Sequence, residues 1–139
     1  MRLDIPITPE LTEELYDFLD EIFDGPSPDL PPGVVLGDEQ EHNRNILYLT
    51  RRDVRLAGTC LTTISRAVPR LAGFGEVATH PEFRRYGIAT ALCGQAVDEF
   101  RGSGGEAFFL GTSNPAAARV YHRRGWRKLA GANVMANIS

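Results

Sequence analysis

The chain has 139 residues, 42% of them hydrophobic, which suffices for one domain with a real core and is too short for two ordinary ones. A net charge of −3 argues against nonspecific nucleic-acid binding, and no run approaches the roughly 18 apolar residues of a membrane helix. Met1-Arg2-Leu3-Asp4 turns acidic too early for a signal peptide, so a single cytoplasmic domain over 1–139 is the expectation.

Cysteine and histidine usage is sparse. Cys60 falls in a presumptive strand and Cys93 on an apolar helix side, which predicts buried free thiols rather than a disulfide. His42, His80 and His122 are scattered, so no metal is expected. The charge is unevenly spread: residues 1–41 hold twelve Asp or Glu against the single Arg2, whereas residues 42–139 hold six acids against fourteen Lys or Arg. Solvated helix faces account for this as well as attraction of a cationic substrate does.

In chain order, Leu3-Asp4-Ile5-Pro6-Ile7 alternates like a short strand that Pro6 confines to an edge or end. Thr8 caps a helix with Pro9 at its first position and an apolar stripe of Leu11, Leu15, Phe18, Leu19 and Ile22, ending near Asp24-Gly25. Residues 26–33 read as a loop or short turn, because four prolines in seven residues remove donors and fix φ. The acidic stretch 34–44 reads as a short helix or ordered flap. Asn45 to Thr50 and Val54 to Ser65 form a predicted hairpin about Arg51-Arg52-Asp53, with Gly58 marking a bulge, and residues 66–75 connect to a central strand.

That central strand contains Val77-Ala78-Thr79 and should stop by His80, since Pro81 lacks an N–H. Ile88, Leu92, Ala96 and Phe100 recur at helical spacing, so a helix starts at or near Gly87. The first amides of a helix have no partner within it, and the macrodipole places roughly +0.5 charge there. The amides of Arg85, Tyr86, Gly87, Ile88, Ala89 and Thr90 are therefore exposed donors suited to a phosphate or pyrophosphate. Gly87 admits close approach, Ala89 does not obstruct it, and Arg84 and Arg85 add charge.

After a glycine-rich turn at 101–105, Ala107 to Thr112 is an apolar fifth strand, parallel to the fourth because a crossover helix joins them. Asn114 caps a further helix with Pro115 at its first position, and Gly125 stops it. Asn114 and Tyr121 are seven residues apart, two helical turns, and so lie along nearly one face. Trp126 and residues 133–138 supply a final hairpin or strand.

Arg84, Gly87 and Ala89 meet the pattern Arg/Gln-x-x-Gly-x-Gly/Ala within V-A-T-H-P-E-F-R-R-Y-G-I-A-T-A-L, and N-P-A-A-A-R-V-Y-H-R-R-G-W follows at the expected distance. Together these stretches resemble the GNAT superfamily of acetyl-CoA-dependent N-acyltransferases over Phe74 to Trp126. The resemblance implies an α/β (α+β) fold: a mixed, mostly antiparallel sheet, flanked by helices, whose parallel fourth and fifth strands splay apart. In it acetyl-CoA would pair its pantetheine with the backbone of Val77, Ala78 and Thr79, set its pyrophosphate on the cradle, and meet Asn114 on the other side.

The implied reaction is direct attack of a small-molecule or peptide amine on the acetyl thioester through a tetrahedral intermediate, with the thiolate as leaving group. Tyr121, a phenol that is protonated at neutral pH, suits the proton return, and Glu76 suits the base. Strand alternation opposes Glu76: it points opposite Val77 and Thr79, and only a bulge would settle which side meets the cleft. His80 is a second candidate for the base. A non-catalytic acyl-CoA-binding or regulatory module with the same cradle is the alternative. A dinucleotide or P-loop site is excluded, because neither the three-glycine fingerprint nor Gly-Lys-Ser/Thr occurs. The resemblance leaves the acceptor and the oligomeric state open, a homodimer through exposed final strands being one outcome.

Overall fold

A computed structural model of the chain describes residues 1–23, 32–111, 119, 121–123, 125–129 and 134–138. Its elements run β1 (Arg2–Asp4), α1 (Pro9–Phe23), α2 (Pro32–Leu36), β2 (Asn43–Arg52), β3 (Arg55–Ser65), β4 (Leu71–Thr79), α3 (Ile88–Gly102), β5 (Ala107–Gly111), β6 (Arg127–Lys128) and β7 (Val134–Ile138). The strands form one seven-stranded sheet in the order β1-β2-β3-β4-β5-β7-β6. β4 and β5 are parallel and the other pairs antiparallel, which is the expected mixed α/β sheet.

Two apolar layers sandwich the sheet. On one face α1 and α2 bury Leu15, Phe18, Leu19, Val34 and Val35 against Leu47, Leu49, Leu56 and Leu61. On the other, α3 buries Ile88, Leu92, Ala96 and Phe100 against Ile46, Tyr48, Cys60, Phe74 and Phe108. Both helices present the stripe read from their sequences. Thr8 caps α1 through its hydroxyl, which accepts from the Leu11 amide at 3.1 Å. A bidentate pair from Arg51 to Glu14, at 2.7 Å on both arms, ties α1 to the β2–β3 hairpin.

Several boundaries differ from expectation. β1 ends at Asp4 rather than Ile7, because Ile7 gives its amide to the Val35 carbonyl at 3.0 Å instead of to the sheet. Pro32 and Gly33 open α2, so proline acts there as a helix start and not as part of the loop. The hairpin turns at Asp53-Val54, both at positive φ (51° and 63°), which lets β2 run on through Arg52. β4 starts at Leu71: Gly73 and Gly75 obscure the strand pattern, but pairing with both β3 and β5 holds it.

The turn carrying Asp38, Glu39 and Glu41 leads into β2 at Asn43, which pairs with Ser65. It therefore lies toward the Leu71 end of β4 and away from His80. Asp24 and Asp29 lie outside the described residues.

Candidate functional site

The sheet opens where β4 and β5 part. Their parallel register runs from Leu71↔Ala107 to Phe74↔Leu110 and stops, while β4 continues to Thr79. On its other side β4 stays paired with β3, through Ala78↔Thr59 and Thr79↔Gly58. His80 donates its amide to the Ala57 carbonyl at 2.8 Å. Backbone groups of an extended strand alternate in direction, so those of Ala78 also turn to β3 and those of Val77 and Thr79 turn to the opening. One of them is partly taken, since Arg84 Nε donates to the Thr79 carbonyl at 3.2 Å.

The bulge that the strand-parity argument required is present. Between Thr59 and Leu61 the register advances two residues on β3 and three on β4, so one residue in the Glu76-Val77 region is extra. Glu76 has φ 50°, a left-handed value unusual for a residue with a side chain. Its carbonyl accepts the hydroxyl of Thr59, fully buried, at 2.9 Å. The consequence is a change of face. Phe74 and Val77 both pack on the α3 side and Ala78 packs on the α1 side.

Glu76 is half-buried and acts electrostatically on Tyr16 of α1. Burial first, then the charges of Glu76 and Asp20, push the Tyr16 phenol up to about 12. Tyr121 lies on the other face. It packs against the α3-side core, with its ring edge-on to Trp126 at 6.0 Å, and Trp126 stacks in turn near Phe74 and Phe108. Burial, then the nearby Cys93 and Cys60, push its phenol well above the ordinary range. Tyr121 is fixed from behind: Trp126 returns its amide to the Tyr121 carbonyl at 3.1 Å, and Gly125 donates to His122 at 3.2 Å, the paired reverse bonds that end a helix.

His80 is engaged elsewhere. Its Nδ1 accepts the Glu82 amide at 3.1 Å, which caps the short turn Pro81–Phe83, and its Nε2 lies 3.8 Å from Glu21. Both ring nitrogens thus face groups of the turn and of α1. Arg55 braces the same turn, pairing with Glu82 at 2.6 Å and lying 5.1 Å over the Phe83 ring.

The cradle has the predicted form. Arg85 (φ 71°) and Gly87 (φ 75°) are both left-handed, Gly87 is the N-cap of α3, and no side chain caps the helix. Among the described residues, the first amide to find a backbone carbonyl after Phe83 is that of Ala91, which donates to Gly87 at 2.9 Å. Arg84, Arg85, Tyr86 and Gly87 are exposed, and a Cβ placed on Gly87 would meet nothing within 4 Å. Open donors at a helix start, alternating backbone hand and the neighbouring Arg84 and Arg85 are features that suit an anion. Ile88 is buried instead, so only its amide serves the cradle. It packs where Gly58 sits on β3, since a Cβ at Gly58 would come within 2.4 Å of Ile88 Cγ2. Gly58 is thus the residue that lets the start of α3 settle onto the sheet, beside the β2–β3 register shift that the sequence suggested.

Asn114 lies outside the described residues, and so does Thr112 of the expected fifth strand. Two residues at the site carried no sequence signal: Thr59, which reaches the bulge only through strand register, and Tyr16, placed by the angle at which α1 crosses the sheet. Among the described residues no three His, Cys, Asp or Glu side chains converge as a metal site, and no helix is long and apolar enough to cross a membrane.

The fold recurs in solved structures. The chain is similar to the ribosomal-protein-S18-alanine N-acetyltransferase of Escherichia coli, with a TM-score of 0.72 at 17% identity over 99% of this chain and 94% of that one. It is similar to the PaiA N-acetyltransferase of Thermoplasma acidophilum in complex with coenzyme A, at TM-score 0.72 and 14% identity over 100% and 99% of the two chains. A GNAT-family acetyltransferase of Staphylococcus aureus Mu50 gives TM-score 0.74 and 14% identity over 99% of each chain. At these identities the likeness is one of fold. No curated protein matches in sequence. Residues 12–126 match the acetyltransferase (GNAT) family, and with that match covering most of the sequence and the splayed β4–β5 sheet behind it, the chain belongs to that family.

Proposed function

We propose that the protein is an acetyl-CoA-dependent N-acetyltransferase that acetylates a primary amine by direct attack on the thioester, and that the amine is cationic. The observation that carries this reading is the parting of β4 from β5 after Phe74, with an uncapped helix start and two arginines at the far end of the exposed strand edge. The residues fit acetyl-CoA. The amides of residues 85–90, with Arg84 and Arg85, suit the pyrophosphate, and the outward backbone groups of Val77 and Thr79 suit the pantetheine amides as an added strand would.

Acetyl-CoA supplies an activated acyl group, and the chain supplies position and proton handling. Glu76 takes the proton that an ammonium of pKa ~10.4 must lose, directly or through one water. Tyr121 serves the departing sulfur. A phenol is a weaker acid than a thiol of pKa ~8.5, so complete transfer is uphill by roughly 2 kcal/mol or more. Tyr121 therefore works mainly as a hydrogen-bond donor to the developing thiolate. The base and the donor lie on opposite faces of the sheet, so the acceptor enters from the α1 side. There Asp20 and Glu21 on α1 join Glu76 and would raise the local concentration of a protonated amine.

Acetyl-CoA and coenzyme A should raise the melting temperature by mass action, and Gly87→Glu should abolish the shift by placing a carboxylate in the anion site. Thiol release in a screen of polyamines, amino acids, aminoglycosides and peptide amines then identifies the acceptor. A shift without release for any amine would favour a non-catalytic binding module, and a shift that survives in folded Gly87→Glu would put the cradle elsewhere.

A further inference from the structure

On the α3 face of β2 and β3, away from the opening, one buried hydroxyl meets no protein partner. Thr62 is 1% exposed, and its Oγ1 is, among the described residues, the one buried side-chain oxygen or nitrogen without a hydrogen bond. Strand register surrounds it with apolar groups: Ile46 stands directly opposite on β2 and Phe74 on β4, with Cys60 and Ile64 on either side along β3. An unpaired hydroxyl in such a place costs stability, whereas a valine of the same shape would not. Thr62 also lines a cleft of about 10 Å³ between β2, β3 and the last turn of α3, with Tyr48 and Glu99 in its walls and the exposed Arg44 and Ser103 at its mouth. That is room for about one water molecule.

Charge narrows the choice further. The ionic groups around the cleft pair among themselves: Glu99 with Arg2, Arg2 with Asp4 at 2.8 Å, and Asp4 with Arg44 at 3.3 Å. Two guanidinium groups meet two carboxylates, which leaves no net charge to hold an ion. Glu99 also accepts the Tyr48 hydroxyl at 2.9 Å, so Tyr48 Oη keeps its lone pairs for another donor. We propose that the cleft is a binding site for a single water molecule, which accepts a hydrogen bond from Thr62 Oγ1 and donates to Tyr48 Oη and the Glu99 carboxylate. Three bonds are what a buried water ordinarily makes. The water joins β3 to β2 and to the last turn of α3, and Thr62 is the residue that positions it. Its consequence is a helix fastened at both ends, since Ile88 settles the start of α3 against Gly58 while Arg2, Tyr48 and the water hold Glu99 at its end. The site is independent of any role given to Glu76 or Tyr121.

The test is a high-resolution crystal structure of the full chain, with companion crystals soaked in bromide and in rubidium. The expected result is density for one water within hydrogen-bonding distance of Thr62 Oγ1 and of Tyr48 Oη or Glu99, with no anomalous peak from either ion. No density beside Thr62 Oγ1, or an anomalous bromide or rubidium peak in the cleft, would overturn the proposal. In solution, Thr62→Val should raise the unfolding equilibrium constant about three- to tenfold and speed hydrogen exchange in the last turn of α3, and Thr62→Ser should restore both. A valine variant as stable as the parent, or more stable, would show that the hydroxyl holds nothing and would also overturn it. If Thr62→Val does not fold, the crystals of the parent protein decide.

Discussion

Where β4 leaves β5, the two faces of the sheet offer different environments. The α3 face is dry and aromatic, with Tyr121 against Trp126, Phe74 and Phe108 behind it, and two thiols alongside. The α1 face is polar and acidic, with Glu76, Tyr16, Asp20 and Glu21 around the same stretch of strand. Without the bulge, Glu76 would fall on the α3 face together with Phe74. One extra residue in the register moves it to the α1 side and returns Val77 to the α3 side. A single local irregularity therefore separates a group suited to accept a proton from one suited to donate a hydrogen bond, and leaves the open strand edge between them.

This contrast is most sharply broken by changing its two poles. Tyr121→Phe keeps the ring packing and removes the hydroxyl, so turnover should fall by about 10²–10³ while the melting shift with coenzyme A stays as it was. A loss of affinity without loss of turnover would make Tyr121 a binding residue. Glu76→Gln should cost about 10² in turnover, and a proven acceptor should regain part of that rate as pH rises toward the pKa of its own amine, because less substrate then needs a base. An unchanged rate in Glu76→Gln would move the base to another group.

A smaller effect is expected one step behind the base. Thr59→Val removes the buried hydroxyl that donates to the Glu76 carbonyl, at a cost of about 1–3 kcal/mol in denaturant unfolding. Turnover should drop by about tenfold, with Thr59→Ser restoring both quantities; equal stability in the Val variant would mean the bulge holds itself. Smallest of all is the electrostatic contrast. The KM of a cationic acceptor should rise about two- to threefold between low and physiological ionic strength, where the Debye length is about 8 Å, and Asp20→Asn should flatten that dependence. A preference for acidic acceptors would remove the case for the α1 face as an amine port.

The uncapped helix start at Gly87 was legible in sequence because everything it needs is local. A β-branched strand end, a proline stop, Arg84, a glycine at Gly87 and the helical spacing from Ile88 lie within a few residues, and backbone sterics with unsatisfied helix amides do the rest. The helix stripes and the parallel β4–β5 crossover were legible for the same reason, since periodicity and chain direction determine them. Glu76 was named from the sequence, but its face was not, because parity depends on how β4 registers against β3, seventeen residues upstream at Thr59. The setting of Tyr16 beside Glu76 and the approach of His80 to Glu21 likewise come from how α1 crosses the sheet. The acids of residues 38–41 looked, along the chain, like a continuation of those on α1. The fold carries them to the other end of the sheet, because β2 must enter at Asn43 to pair with Ser65. Charge is counted along the chain, but the field a substrate meets is set by the topology that distributes it.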